Sequence, residues 1–264
     1  MSSKKVKVSI FCSIFKSGKY IEHYLEDITR QTIFDECELI IVAPNPTDFE
    51  LEKVNQYKQK YTNIQLIKLA SDPGLYACWN LAIKQARGEY LNNANLDDSK
   101  KINSIEVHRD YLDSNPDIDL VYSDSFISLT PNSSFEQCKE QSEYRYDFPD
   151  FSIANLIDCN PPHQSPMYRK NLHKKFGFFD ESYKSASDAE FWLRCATGGS
   201  KMKKINEVLG VYYFNPSGVS SDSSNETWKI KEEKRMRDKY KSYGQTHNGN
   251  TRRIVRNMHS LLKL

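Results

Sequence analysis

Short β-like and helix-like segments alternate through the first half of the chain, and this alternation restricts the possible fold more than any other feature. Strand-like segments lie at 6–14, 38–42, 64–69, 88–98 and 120–122. Helix-like segments, recognised by apolar residues at helical spacing or by polar runs between stop signals, lie at 20–28, 48–61, 75–86 and 101–112. Repeated β-α-β units with short connections predict an α/β fold, a single Rossmann-like domain with a mostly parallel central sheet flanked by helices.

The second half of the chain is less regular. Residues 130–162 are rich in Asn, Ser, Pro and Gln, which predicts a long loop or a short helical insertion. A helix is expected near Ser187, and residues 208–214 are typical of a late strand. From Trp228 onward, eleven Lys and Arg residues stand against three acids, so we expect a basic helical extension over 221–264.

Composition and cysteine spacing indicate the class of protein and its compartment. With 264 residues, 38% hydrophobic content and a net charge of +2, the chain is expected to be folded and soluble, without nucleic-acid partners. No apolar run approaches the roughly 20 residues that span a bilayer. Six scattered cysteines without a CxxC pair indicate reduced thiols of a cytoplasmic protein and neither a disulfide framework nor a zinc site.

A pair of carboxylates ends the fourth strand-like segment, GEYLNNANLDD at residues 88–98. One interpretation is structural, with Asp98 or Ser99 capping a helix that starts near Lys100. The other is a divalent-metal site, because such ions are usually held by one or two carboxylates together with substrate phosphates. The position of Asp97 and Asp98 after the fourth strand of a βαβ series favours the second interpretation, since α/β proteins bind ligands at that edge.

A second acidic position lies in SASDAEFWLRC, residues 185–195. Ser187 and Glu190 match a capping box, which would place Asp188 at the first helical position. Asp188 could simply be a favourable charge at a helix amino terminus, or it could be a general base in a cleft. The helix dipole would lower its pKa and burial would raise it, and the sequence leaves the balance open.

Four segments together resemble family 2 glycosyltransferases of the GT-A fold. They are VSIFCSIFKSGKYIEHYLEDITRQT, ELIIVAPNPTD, GLYACWNLAIKQARGEYLNNANLDD and FGFFDESYKSASDAEFWLRC, and they extend in order over most of residues 5–220. The resemblance implies a GT-A domain at 1–220, with residues 1–100 binding the nucleotide-sugar and 101–220 binding the acceptor.

The resemblance also implies roles for individual residues. The family's D-x-D motif falls on Asn95-Leu96-Asp97, which makes Asp97 the expected metal ligand with Asp98 beside it, and Asp188 the expected catalytic base. The remaining nucleotide-binding positions implied are Ser13, Ile14, Phe15, Asn45, Gly74, Asn80, Asn95 and Leu96.

The activity implied is inverting transfer of a sugar from a UDP-, dTDP- or GDP-sugar, UDP first among them, to a hydroxyl of a glycan or glycolipid. Mn²⁺ or Mg²⁺ is the implied cofactor. His163 and Trp192 are candidates for the acceptor side, the alternatives being a structural or surface histidine and a core tryptophan. The basic extension is either a solvated helix face or a peripheral contact with an anionic membrane.

The sequence departs from the family pattern at four positions. Asn45 follows the second strand where an aspartate is usual, Trp79 stands where many relatives carry Arg, Asn95 replaces the first acid of D-x-D, and Asn215 stands where some relatives have a metal-binding His. These departures concern the nucleotide and the metal shell and leave Asp97 and Asp188 in place.

Two other functions would leave different patterns in the sequence. A sugar-nucleotide pyrophosphorylase would have a Gly-rich phosphate loop after the first strand, which residues 13–18 do not provide. A decayed transferase would bind nucleotide or glycan without turnover, and the presence of both Asp97 and Asp188 argues against it.

Overall fold

The computed structural model describes residues 5–142, 144–216, 218, 224 and 226–244. The strands are β1 (Val8–Ser13), β2 (Cys37–Pro44), β3 (Ile64–Leu69), β4 (Tyr90–Asn93), β5 (Ser99–Lys100), β6 (Leu120–Ser128), β7 (Arg145–Tyr146), β8 (Met167–Arg169) and β9 (Met202–Tyr213). The α-helices are α1 (Ile21–Thr29), α2 (Asp48–Lys60), α3 (Leu75–Gln85), α4 (Ser104–Ser114), α5 (Phe135–Gln141), α6 (Ile153–Cys159), α7 (Asn171–Phe176), α8 (Ser187–Thr197) and α9 (Glu226–Tyr240).

All nine described strands join one sheet in the order β3-β2-β1-β4-β8-β6-β9-β5, with β7 paired to β6. The first four strands are parallel, as the β-α-β pattern predicts. β8 is antiparallel to both β4 and β6, so β4 and β6 run in the same direction, and β9 is parallel to β6. The carboxyl ends of β1, β2, β3, β4, β6 and β9 therefore lie at one edge of a mixed sheet.

Two hydrophobic cores cover the faces of this sheet, because side chains alternate between faces along each strand. Phe11 packs into the core with α3, α8 and α9, whereas Ile10 and Cys12 point into the core with α1, α2 and α4. A strand buried on both faces needs a nearly continuous apolar run, which explains the sequence VSIFCS of β1.

The segment predicted as one strand over 88–98 is divided in the structure. β4 ends at Asn93, residues 94–98 leave the sheet, and β5 then pairs antiparallel with β9. Gly88 enters β4 so close to β1 that a Cβ there would lie 2.6 Å from the backbone nitrogen of Ser9. Helix α4 begins at Ser104 with Asn103 before it, so the prediction that Asp98 or Ser99 caps this helix is wrong.

The second half has more regular structure than its composition indicates. The irregular 130–162 region contains α5 and α6, as the alternative of a helical insertion predicted. The late strand is longer than expected, since β9 spans twelve residues. All six cysteines are free, as the scattered spacing predicted.

The basic extension is helical from Glu226 to Tyr240, and this helix packs on the rest of the fold through buried Met236 and Tyr240. The predicted boundary at 220/221 and the extension beyond residue 244 lie outside the described residues. None of the helices in the described ranges combines the length and the apolar character that crossing a bilayer requires.

Candidate active site

The acidic loop, residues 94–98, leaves the sheet at the carboxyl end of β4 and lies against the carboxyl end of β9. Asp97 is partly buried, and its Oδ2 accepts a hydrogen bond from Nδ2 of Asn215 at 3.3 Å. Burial raises the pKa of the Asp97 carboxyl, although the Asn215 bond and the Lys19 charge oppose the shift. A cation bound beside Asp97 would therefore relieve a desolvated charge.

Asp98 points into the protein, and both of its carboxylate oxygens have protein partners. Its Oδ1 accepts from the backbone N–H of Tyr213 at 3.0 Å, and its Oδ2 accepts from the side-chain amide of Asn95 at 3.0 Å. Burial, followed by the charge of Asp97, raises the pKa of Asp98. Asp98 thus anchors the acidic loop to β9, and Asp97 is the member of the pair better placed to bind a cation.

A buried cation lies behind the acidic loop. Lys100 is 5% exposed, and its ammonium contacts the hydroxyl of Ser165. Its backbone N–H donates to Oδ2 of Asp27 at 3.0 Å. Burial lowers the pKa of Lys100 to about 8 and raises the pKa of Asp27 to about 6, even though the two charges attract. The positive charge of Lys100 offsets part of the cost of burying the Asp98 carboxylate.

Asp188 lies in the second half of the chain, in the first turn of α8. Tyr76, from α3, donates its hydroxyl to Oδ1 at 3.0 Å, and Asn160, which follows α6, donates its amide to Oδ2 at 2.9 Å. The residue is 9% exposed, and burial raises the pKa of its carboxyl despite these two hydrogen bonds. Burial therefore outweighs the helix terminus, which is the direction that a general base near neutrality requires.

The predicted capping box of α8 is wrong. Ala186 precedes the helix without a side-chain cap, and Ser187 is the first helical residue, so Asp188 is the second. The Ser187 hydroxyl is buried without a hydrogen-bond partner among the described residues. Glu190 turns away from the cap and contacts Arg194, Lys239 and Tyr240 instead, because these donors from α8 and α9 satisfy its buried charge.

A sequence model described as "Glycosyl transferase family 2" matches residues 9–176. The chain belongs to glycosyl transferase family 2. Asp97 and Asp98 lie inside the matched segment, whereas Asp188 lies beyond it.

Individual relatives of this family 2 chain agree in sequence and in fold. An uncharacterized glycosyltransferase of Methanocaldococcus jannaschii, MJ1057, is 30% identical over 195 residues, which cover 74% of this chain and 66% of the relative. The crystal structure of S. aureus TarS 1–349 in complex with UDP superposes with a TM-score of 0.64 at 21% identity, covering 80% of this chain and 61% of that one. The mannosyltransferase PcManGT from Pyrobaculum calidifontis, in complex with GDP-Man and Mn²⁺, superposes with a TM-score of 0.61 at 15% identity. The match covers 86% of this chain and 60% of that one. The GT-A fold expected from the sequence is confirmed.

Several nucleotide-binding positions implied by the family lie at the carboxyl edge of the first strands. Ser13 is partly buried at the end of β1, and Phe15 is 43% exposed just beyond it. Asn45 is exposed after β2 with a φ of 44°, and Gly74 is exposed before α3 with a φ of 97°. Ile14 differs from these, because the whole residue is buried and its backbone N–H donates to the carbonyl of Val42 at 2.9 Å.

The other implied nucleotide positions have contacts within the protein. Asn80 donates its amide to the carbonyl of Phe179 and to Glu181, each at 2.9 Å, and accepts from the N–H of Phe179 at 3.0 Å. Its side chain therefore fixes the segment before α8 and is not turned toward a ligand. Asn95 holds Asp98, and Leu96 packs partly on the core formed with α1 and α4.

The two acceptor-side candidates differ in environment. Trp192 is fully buried between Tyr168, Phe179 and Phe191, which agrees with the alternative of a core tryptophan and leaves its ring unexposed to solvent. His163 is only partly buried and follows Asn160 by three residues. Its ring meets Tyr146, Phe148 and Tyr212 edge-on, and burial lowers its pKa to about 4, so the imidazole is neutral.

The donor set fits a divalent ion that arrives with its substrate. Among the described residues, no three His, Cys, Asp or Glu side chains come together as a metal-holding group. Asp97 supplies one partly desolvated carboxylate, and Mg²⁺-type ions in proteins are commonly held by one or two carboxylates together with substrate phosphates. Asp97 would hold such an ion in this family 2 chain, with the donor diphosphate supplying further oxygens.

Tyr76 and Asn160, the two partners of Asp188, are not among the residues that the sequence patterns indicate. Asn160 takes a left-handed conformation with a φ of 43°, which Asn tolerates better than most residues, and it precedes Pro161. This Asn-Pro pair predicts a turn, but the sequence does not indicate that the Asn160 side chain contacts Asp188. Tyr76 has the sequence pattern of an ordinary core residue of α3, and it is 3% exposed. Only the hydrogen bond from its hydroxyl to Asp188 connects it with the site.

Proposed function

We propose that this chain is a metal-dependent, inverting glycosyltransferase in which Asp188 is the general base. The observation that carries the proposal is the environment of Asp188. Its carboxylate is buried, and its two oxygens each accept a hydrogen bond from a neutral donor, one from Tyr76 and one from Asn160. Neutral donors orient a carboxylate without cancelling its charge, so it retains the capacity to accept a proton.

The proposed reaction displaces a nucleoside diphosphate from the anomeric carbon of a donor sugar. The acceptor hydroxyl attacks that carbon while its proton passes to an oxygen of Asp188, and the bond between the anomeric carbon and the diphosphate oxygen breaks. Attack from the side opposite the leaving group inverts the configuration. Asp188 in its raised-pKa environment is suited to receive that proton near neutral pH.

The charge that develops on the leaving diphosphate needs a counter-charge. Asp97 would hold the divalent ion, which when bound supplies Lewis-acid stabilisation of the diphosphate oxygens. Asp98 keeps the loop in place through the N–H of Tyr213, and Asn215 orients the Asp97 carboxylate. In the proposed mechanism, Asp97 would serve the leaving diphosphate and Asp188 the attacking hydroxyl.

The proposed donor is a UDP-sugar, and the acceptor is a hydroxyl of a glycan or glycolipid. Support for the nucleotide comes from the S. aureus TarS complex with UDP, while the PcManGT complex with GDP-Man keeps a guanine donor among the choices to test. The exposed ring of Phe15 at the end of β1 offers a surface on which either base could stack.

Sugar-nucleotide turnover with purified protein tests the proposal. UDP-, dTDP- and GDP-sugars are incubated with and without Mn²⁺, and nucleotide release is followed. The Asp188→Asn variant should lower transfer about a thousandfold, the scale of general-base catalysis, with nucleotide affinity nearly unchanged. Asp117→Asn removes an equal charge from an exposed pair with Lys201 and serves as the matched control.

Two results would contradict the proposal. Wild-type transfer rates in Asp188→Asn would exclude the base assignment. Tight nucleotide binding without turnover of any donor, in the presence of metal and candidate acceptors, would favour the decayed module that only binds.

A further inference from the structure

We propose that helix α9 braces the general base, and that Glu232 is the positioning residue that fixes the segment leading into Asp188. The proposal rests on the function assigned to Asp188 above. Both α9 and the segment 180–186, which we call the base loop, lie beyond residue 176, where the match to the family ends.

The first contact is made by Glu232. Its Oε1 accepts from the backbone N–H of Lys184 at 2.6 Å, and its Oε2 accepts from the backbone N–H of Ser185 at 3.0 Å. A carboxylate bound to two backbone donors forms charge-assisted bonds that are stronger than neutral ones. These two amides lie directly before the residue that precedes α8, so the bonds fix the direction in which the helix starts.

A second contact is made one helical turn further along α9. The Arg235 guanidinium donates to the Ser182 hydroxyl at 3.0 Å and to Asp180 at 3.3 Å. The same group lies over the ring of Tyr183, 4.3 Å from its centroid. Residues three apart on a helix share a face, so Glu232 and Arg235 hold consecutive parts of the base loop.

A third contact follows Asp188 in the chain. Glu190 is 1% exposed, and its Oε1 accepts from Lys239 at 2.6 Å and from the hydroxyl of Tyr240 at 2.7 Å. Burial opposes ionisation of Glu190, yet the hydrogen bonds from these donors and from Arg194 bring its pKa below the ordinary value. The ionised Glu190 therefore ties the first turns of α8 to the end of α9.

The partner of the base is held from the same helix. Arg237 donates its Nε to the carbonyl of Ile157 at 3.3 Å, near the end of α6. Asn160 follows three residues later and donates to Asp188. α9 thus contacts the chain on both sides of the Asn160–Asp188 hydrogen bond, and a displacement of α9 would change the orientation of the carboxylate.

Amide hydrogen exchange of the full chain tests the brace directly. Glu232→Gln leaves one acceptor oxygen for two N–H donors, and Arg235→Gln removes the ion pair and the ring contact. Losing one charge-assisted bond should speed exchange of peptides covering residues 182–188 about tenfold. Asp238→Asn is the matched control, because Asp238 lies on α9 and its ion-pair partner among the described residues is Lys234 of the same helix, at 2.5 Å. In Asp238→Asn, the rate of amide hydrogen exchange in the base loop should equal that of the wild-type protein.

Steady-state kinetics supply the second readout. Glu232→Gln should lower kcat about tenfold, because a small misplacement of a base is costly, while the KM for the donor changes less than about twofold. Unchanged exchange of residues 182–188 in both Glu232→Gln and Arg235→Gln would overturn the brace whatever the catalytic result. Faster exchange with wild-type kcat would overturn the positioning role. Absence of sugar transfer in the wild-type protein would count against the proposed function, and the exchange experiment would still decide on the brace.

Discussion

The hydroxyl of Tyr76 can be removed without disturbing its ring, and this makes it the sharpest test of how the base is tuned. The ring packs on Trp79 and Phe179 at centroid distances of 5.4 and 5.8 Å. Tyr76→Phe keeps these contacts and deletes only the bond to Oδ1 of Asp188. Because that bond favours the charged form of the carboxylate, its loss should raise the pKa of Asp188 further.

The size of the shift follows from the strength of the bond. A hydrogen bond to a charged group contributes about 1.5–3 kcal/mol, and about 1.4 kcal/mol corresponds to one pKa unit, so the pKa of Asp188 should rise by about one to two units. The groups of the described residues that face Asp188 are Tyr76, Asn160 and the N–H groups at the start of α8, and none of these carries a positive charge that would compensate the change.

The assay is the pH dependence of kcat/KM, whose acid limb reports the pKa of the base in the free enzyme. In Tyr76→Phe this limb should move to higher pH by about one unit or more, with activity recovering on the alkaline side. Tyr57→Phe, on α2 at the other face of the sheet, is the matched control and should leave the limb in place. An acid limb at the wild-type position in Tyr76→Phe would refute the role of this bond.

Two further predictions concern the metal side and the stability of the fold. Asp97→Asn should weaken Mn²⁺-dependent nucleotide binding by about tenfold or more while metal-free binding stays the same, as measured by titration calorimetry; equal affinities with metal would contradict the ligand assignment. His108 is buried with both ring nitrogens lacking partners among the described residues, and burial lowers its pKa to about 3. Since its unfolded pKa is about 6.5, the unfolded chain binds more protons at pH 5, and stability falls as pH drops below 6.5. His108→Leu should therefore gain about 2 kcal/mol more stability at pH 5 than at pH 7.5 in thermal melts, and an equal gain at both pH values would refute this.

The sequence predicts best those elements whose structure is determined by residues close together in the chain. β3 has the bounds expected from its apolar run, and α2 begins at Asp48 as expected, with Thr47 as its N-cap. The acidic loop that carries Asp97 is another such case, because it follows the end of a buried parallel strand, β4, and therefore lies at a known edge of the sheet.

The positions that the sequence could not predict depend on contacts between distant segments. Tyr76 and Asp188 are 112 residues apart, and Asn160 meets the same carboxylate from a third segment. The S-x-x-E pattern at Ser187 failed for the same reason, since Lys239 and Tyr240 compete for Glu190 and prevail over the local cap. Tertiary contacts outweigh local propensity where the charge is buried.

The hydrogen bond between Asp98 and the N–H of Tyr213 joins residues 115 positions apart. During synthesis, the ribosome releases the acidic loop long before it releases β9, so the carboxyl of Asp98 has no partner from that strand until 115 further residues have been added. A chain cut short before Tyr213 could form the parallel strands β1 to β4 but would leave the loop that carries Asp97 unanchored. The loop that carries Asp97 therefore takes the position seen in the finished protein only after β9 has been made.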